Sequence, residues 1–142
     1  MKKIALSLLA LALFSCGASS TKKLAKKPLF EVLTQQTDGG GNIHFYEIVS
    51  DSREFRMLQN DENLKSKIKP DDINTSNFII LNMGEKSGKG GSIEVVNVQE
   101  TLDKIIITVK ENEPKADGNT TSDYTYPYSI VKINSKKEII IK

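Results

Sequence analysis

Apolar positions fall into one uniform block followed by a series of short runs. The block covers residues 4–14 and is interrupted only by Ser7. It is too short to span a bilayer, which needs about 20 apolar residues. Apart from Leu24 and Pro28, residues 17–28 are small, polar or lysine, with too little apolar surface to order themselves. A folded unit is therefore expected over residues 29–142. Its first apolar runs, residues 30–34 and 43–49, read as strands. The glycines at 39–41 lie between them, so the two are expected to form a hairpin.

After residue 50 the period changes to that of a helix. Asp51 with Glu54 fits a capping box; Phe55 and Leu58 share one helical face, and so do Leu64 and Ile68 after a polar stretch. A break is expected near Asn60–Asp61 and an end at Pro70, Asp71 and Asp72. Residues 78–83 are almost wholly apolar, as in a strand covered on both faces. Residues 84–91 read as a flexible loop. Residues 92–98 form a strand whose phase slips at Val95–Val96, which predicts a bulge. Ile105, Ile107 and Val109 alternate toward one side of the next strand. After a polar loop at 114–123, residues 126–133 and 138–141 are the last strands, with a turn at Asn134–Ser135. The predicted class is α+β: a mainly antiparallel β-sheet or sandwich with one helix inserted after the second strand. No internal repeat or coiled-coil heptad is present.

Composition gives the leading block a meaning. Lys2 and Lys3 precede it, and Leu13, Phe14, Ser15 and Cys16 end it. A positive start, a short apolar run and a small residue before the cut make a secretory signal over residues 1–15. The last four residues resemble a bacterial lipobox, with Phe14 bulkier than its usual middle residue. Cys16 is the only cysteine. A lone thiol in an exported chain needs an explanation, and lipid attachment supplies one. The expectation is lipid attachment at Cys16, a tether over residues 16–28, and a place in the cell envelope, anchored to the outer membrane.

The overall charge of +2 hides an asymmetry. Residues 1–27 hold six lysines and no acid, whereas from Pro28 onward 14 basic residues face 18 acidic ones, a balance of −4. The tether lysines suit anionic headgroups. The folded part has no basic excess, so nucleic acid is not an expected partner.

Few residues invite catalysis. His44 is the only histidine, so a multi-histidine metal site is excluded. A Ser-His-Asp triad would need His44, and no nucleophile elbow accompanies it. Its alternation with Ile43 and Phe45 suggests a strand-surface residue. The glycine loop lacks phosphate-loop spacing and precedes a strand, not a helix. Asp61–Glu62 and Asp71–Asp72 lack the spaced form of a calcium loop and read as solvated turn carboxylates. No enzyme activity, cofactor, metal or small-molecule substrate is expected. Tyr124, Tyr126, Pro127 and Tyr128 form the main aromatic cluster, and alternation should bury one tyrosine face and expose the other. Tyrosine suits contact patches because it buries area at low entropic cost.

The run Gly84, Glu85, Lys86, Ser87, Gly88, Lys89, Gly90, Gly91, Ser92, Ile93 resembles a Gly-Glu-Lys-Pro-Thr-Gly-Gly-Tyr-Ser-Ile pattern. That pattern belongs to the PrcB family C-terminal domain. Glu111, Pro114 and residues 126–131 also fit, so the resemblance covers about residues 76–133. Aligned without gaps, Gly91 stands where the family has tyrosine. The family is named for a lipoprotein component of a bacterial surface protease complex. The resemblance implies a protein-binding module that associates with a protease. It points to Gly84, Glu85, Lys86, Gly90, Gly91 and Ser92 as contact residues, joined by Tyr126, Pro127 and Tyr128 from the aromatic cluster. The alternative is a chagasin-like protease inhibitor presenting loops 84–91 and 124–128, an analogy at the level of fold.

Overall fold

The computed structural model describes residues 27–115 and 123–142. Cys16, the signal segment and the tether up to residue 26 lie outside the described residues, as does most of the polar loop after Pro114. The strands are β1 (Phe30–Gln36), β2 (His44–Val49), β3 (Asn77–Met83), β4 (Lys86–Ser87), β5 (Ser92–Glu100), β6 (Lys104–Asn112), β7 (Tyr124–Thr125), β8 (Tyr128–Ile133) and β9 (Glu138–Ile141). Helix α1 spans Ser52–Asn60, and one further turn, α2, spans Asp72–Thr75. The class is α+β, as the sequence pattern predicts.

β3 organises the molecule. Six of its seven residues are buried, and its side chains alternate between two separate cores. Phe78 and the partly buried Ile80 point toward α1, where they join Val49, Phe55, Leu58, Leu64, Ile68 and Ile130. Ile79, Leu81 and Met83 point the other way, toward Ile93, Ile105, Ile107, Val131 and Ile133. A strand apolar on both faces needs cover on both. One cover is the helical segment 51–75. The other is a three-stranded sheet in the order β5-β6-β9. Between them lies a four-stranded antiparallel sheet in the order β1-β8-β3-β2.

Local chemistry explains the elements. Asp51 caps α1, accepting from the backbone N–H of Arg53 at 2.7 Å and Glu54 at 3.0 Å. The helix ends at Asn60, where the sequence predicts a break, and Leu64 and Ile68 reach the core from turns. The phase slip at Val95–Val96 is a bulge, with the register against β6 shifting between Val95 and Asn97. Ile105 and Ile107 face the core, and Val109 packs against it.

Four expectations need correction. First, β1 and β2 do not form a hairpin. β8 and β3 lie between them, three strand spacings or about 14 Å. The glycine segment crosses the ends of those strands instead of turning tightly. It is held there by Gly40 N–H on Tyr126 O (2.8 Å) and by Asn82. Second, residues 126–133 are not one strand. Tyr124–Thr125 pairs with Lys86–Ser87 inside the supposedly plain loop, and β8 begins only after Pro127, which has no N–H to donate. Third, β8 and β9 belong to different sheets, and β9 runs parallel to β6.

Fourth, Asp72 is not solvated. Its carboxylate meets Lys132 Nζ at 2.8 Å with both side chains about 5% exposed, and it also accepts from Lys69 N–H at 2.9 Å. Lys132 lies on β8 opposite Phe78, on the helical side of the sheet. The ion pair therefore bolts α2 onto the central sheet. Burial acts to raise the Asp72 pKa, but the hydrogen bonds and charge of Lys132 and Lys69 N–H outweigh it and hold the carboxyl below its usual range.

Asp72→Asn would leave a buried ammonium without a counter-charge, an expected loss of about 3–5 kcal/mol at neutral pH in urea unfolding. A carboxyl with lowered pKa stabilises fully above its unfolded value and loses that contribution as pH falls through its folded value. The gap between wild type and variant should therefore narrow only below about pH 4.

Candidate contact site at the loop end

The strand registers give the molecule two ends. Phe30, Asn77 and Ile133 lie side by side at one end, and Gln36, Asn82 and Tyr128 at the other. The described chain enters at the first end, where Asn134 Nδ2 donates to Pro28 O at 2.7 Å. The second end gathers residues 38–43, 84–91, 111–115 and 123–127.

Asn82 builds this end from beneath. It is 1% exposed, accepts from Gly41 N–H at 2.9 Å and donates to the carbonyls of Gly41 and Ile43. A Cβ at Gly40 would lie 2.2 Å from its side-chain oxygen, so only glycine fits there. Met83 N–H donates to Pro127 O at 3.0 Å and fixes the aromatic corner over the end of β3. Gly84 then turns with φ of +74°, so close to β2 that a Cβ would meet His44 N at 2.7 Å.

The two segments singled out in the sequence come together on this base. β4 pairs with β7, Lys86 opposite Thr125 and Ser87 opposite Tyr124. Thr125 Oγ1 donates to Gly88 O, and Gly88 N–H to Asp123 O, each at 2.8 Å. The Tyr126 hydroxyl donates to Glu85 at 3.0 Å, and its N–H to Asp38 at 3.0 Å. The bond to Glu85 raises the Tyr126 phenol above its ordinary value, because ionisation would place two anions together. Lys86 reaches Glu113 at 2.8 Å, and Lys89 reaches Asp123 at 3.2 Å.

The candidate residues divide by burial. Glu85 and Gly90 are exposed, and Lys86, Ser92 and Tyr126 are half-buried. Gly84, Gly91 and Pro127 are buried and support the loops from within. Tyr128 packs against the core on the helical side of the sheet and does not join the exposed patch. Ser92 opens β5, its hydroxyl accepting from Asn112. Tyr124, 53% exposed, is the aromatic that the corner presents to solvent.

Gly91 stands where the PrcB C-terminal pattern has tyrosine. Here Pro114 and Pro127 close on it, each about 3.0 Å from where a Cβ would sit. With this backbone the proline clamp leaves no room for a side chain at position 91.

A second cluster went unseen in the sequence. Glu111, at the end of β6, accepts from His44 Nε2 and from the Tyr46 hydroxyl, both at 2.7 Å. Burial acts to raise Glu111, but these bonds prevail and hold it below the usual carboxylate range. Burial and the same carboxylate push the Tyr46 phenol strongly up. His44 is thus exposed, as alternation predicts, but it ties β2 to the second sheet. No group of three metal-ligating side chains occurs among the described residues.

Gly91→Ala should force the two prolines apart and cost about 1–3 kcal/mol. Asn82→Ala should cost a similar amount by stranding buried backbone groups. Thermal denaturation of each variant checks both.

Comparison with known proteins bears on this end of the molecule. No curated protein and no solved structure matches the chain. A family model described as PrcB C-terminal matches residues 77–134. That stretch begins with the central strand β3, holds the glycine loop and the aromatic corner, and ends just past β8. From β3 through β8 this protein is therefore PrcB-like, matching the C-terminal domain of that family.

Proposed function

We propose that this protein is a lipid-anchored envelope lipoprotein whose PrcB-like unit is a protein-binding module that docks onto a protease. One observation carries the reading. Within the residues matched by the family model, loop 84–91 and the aromatic corner 123–127 are joined at the end opposite the one where the described chain enters. A chain held through Cys16 and a lysine-rich tether would present those loops away from the bilayer. Loops on a rigid scaffold are a common place for binding. The exposed Tyr124 and the half-buried Tyr126 are of the residue type enriched in contact patches, and the charged side chains around them suit a polar rim.

A second reading, inhibition of a protease, is favoured by the same pairing of two loops, which joins them into one unit. It would require the paired loops to enter an active-site cleft rather than rest on an outer surface.

Affinity capture of the lipid-anchored chain from its own membranes tests the proposal. A specific protease should be recovered, and Tyr124→Ala should weaken its retention by at least about 2 kcal/mol if this tyrosine is a central anchor. Recovery of bulk envelope proteins alone would count against protease docking. Saturable loss of the captured protease's activity would favour the inhibitor reading. Separately, Cys16→Ala should move the protein from the membrane to the soluble fraction on centrifugation.

A further inference from the structure

β2 is the edge of the central sheet, hydrogen-bonded to β3 on one side only. Among the described residues, no backbone hydrogen bond joins residues 44–49 to anything beyond β3. At an antiparallel edge, every second residue then presents both its N–H and its C=O outward.

The other long edges of this protein are blunted. β1 carries a register shift between Val32 and Thr34, and β5 one between Val95 and Asn97. Such bulges twist an edge away from further pairing. β9 is only four residues long. β2 is six residues long and pairs in unbroken register from His44 opposite Met83 to Val49 opposite Phe78. Among the described residues it is the one edge of more than four residues in unbroken register.

The side chains of β2 are also unlike those of a solvated edge. Phe45 and Tyr46 are each 37% exposed, and Ile48 is 38% exposed. His44, Tyr46 and Ile48 line one face, with Tyr46 and His44 held in place by Glu111. On the other face, Phe45 stands next to Glu47, an exposed carboxylate without an ion pair among the described residues. A ring and a free carboxylate two residues apart on one face are complementary to a lysine or arginine.

We infer that the β2 edge captures an extended segment of another protein as a fifth strand, one that alternates apolar residues with basic ones. Main-chain hydrogen bonds would supply affinity, and the Phe45–Glu47 face would select the basic residue. A second copy of this chain is the wrong occupant. In an in-register antiparallel β2–β2 pair with its buried faces aligned, the two Glu47 carboxylates lie directly opposite or on a neighbouring diagonal, about 5–8 Å apart, and repel. The inference does not depend on what the glycine loop and the aromatic corner bind.

The probe is a capped peptide of about seven residues alternating valine with lysine, matched to a typical strand length. It is added to the full mature chain in detergent micelles, and amide hydrogen exchange is followed residue by residue. The expected result is protection of alternate β2 amides. The same peptide alternating valine with glutamate should bind more weakly, and Glu47→Lys should reverse that preference by about fivefold or more. N-methylation of one alternate set of peptide amides should abolish binding, and methylation of the other set should not. Unchanged exchange in β2, equal binding of both methylated peptides, or a preference indifferent to Glu47→Lys would each overturn the inference. So would β2 amides already protected in a dimer before peptide is added. Loss of protease capture with intact peptide binding would sink the docking proposal and leave this one standing.

Discussion

Burial of β3 on both faces is the constraint from which the rest of the architecture follows. Phe78, Ile79, Leu81 and Met83 are each at most 2% exposed, yet successive side chains point to opposite sides. Burying one such side chain contributes about 1.5–3 kcal/mol, which no single covering layer could collect for both faces. The helical segment 51–75 therefore covers one side and the β5-β6-β9 sheet the other. β8 completes the middle of the central sheet, with Val131 and Ile133 on one face and Ile130 on the other. The outer strands of that sheet, β1 and β2, then carry the mixture of polar and apolar residues that an edge tolerates.

Polar groups enter this apolar centre only with partners. Among the described residues, no buried side-chain nitrogen or oxygen lacks one. Lys132 is buried on the helical side of β8 and is matched by Asp72. Asn82 interrupts the apolar run of β3 and is used up on the glycine segment. Asn77, at the other end of the same strand, donates to Ser135 O at 3.0 Å and accepts from Lys136 at 3.0 Å. Each fixes a loop to the end of a central strand, which is how a sheet with loose connections acquires two distinct ends.

That distinction bears on function. At one end the Pro28 and Asn134 contacts receive the incoming chain. At the other, glycines that no larger residue could replace let three segments meet over Asn82. The resulting patch mixes Glu85, Lys86, Lys89, Glu113 and Asp123 with Tyr124 and Tyr126, and most of these charges are paired with one another or with a tyrosine hydroxyl. Gly91 departs from the family pattern at a crowded point of this end. Pro114 and Pro127 close on it so tightly that a side chain of any size there would need the loop to shift.

The sequence by itself determined the local elements, because those depend on neighbours a few residues apart. The double burial of β3, the inward face of Ile105 and Ile107, the bulge beside Val95 and the Asp51 cap all follow from spacing. So does the PrcB-like character of residues 77–134, which rests on a contiguous motif. Only the tertiary structure decided which strands pair. Two strands separated by glycines can close as a hairpin or straddle two others, and the choice rests on the summed burial of distant residues. For the same reason Asp72 read as a surface acid until Lys132, 60 positions later, came to its side. The His44–Tyr46–Glu111 cluster was likewise hidden, since Glu111 reaches β2 only when the second sheet stacks on the first. Asn82 was the partial exception. An asparagine inside the apolar run 78–83 signals a buried polar partner, although its three backbone contacts exist only once the glycine segment lies across the strand ends.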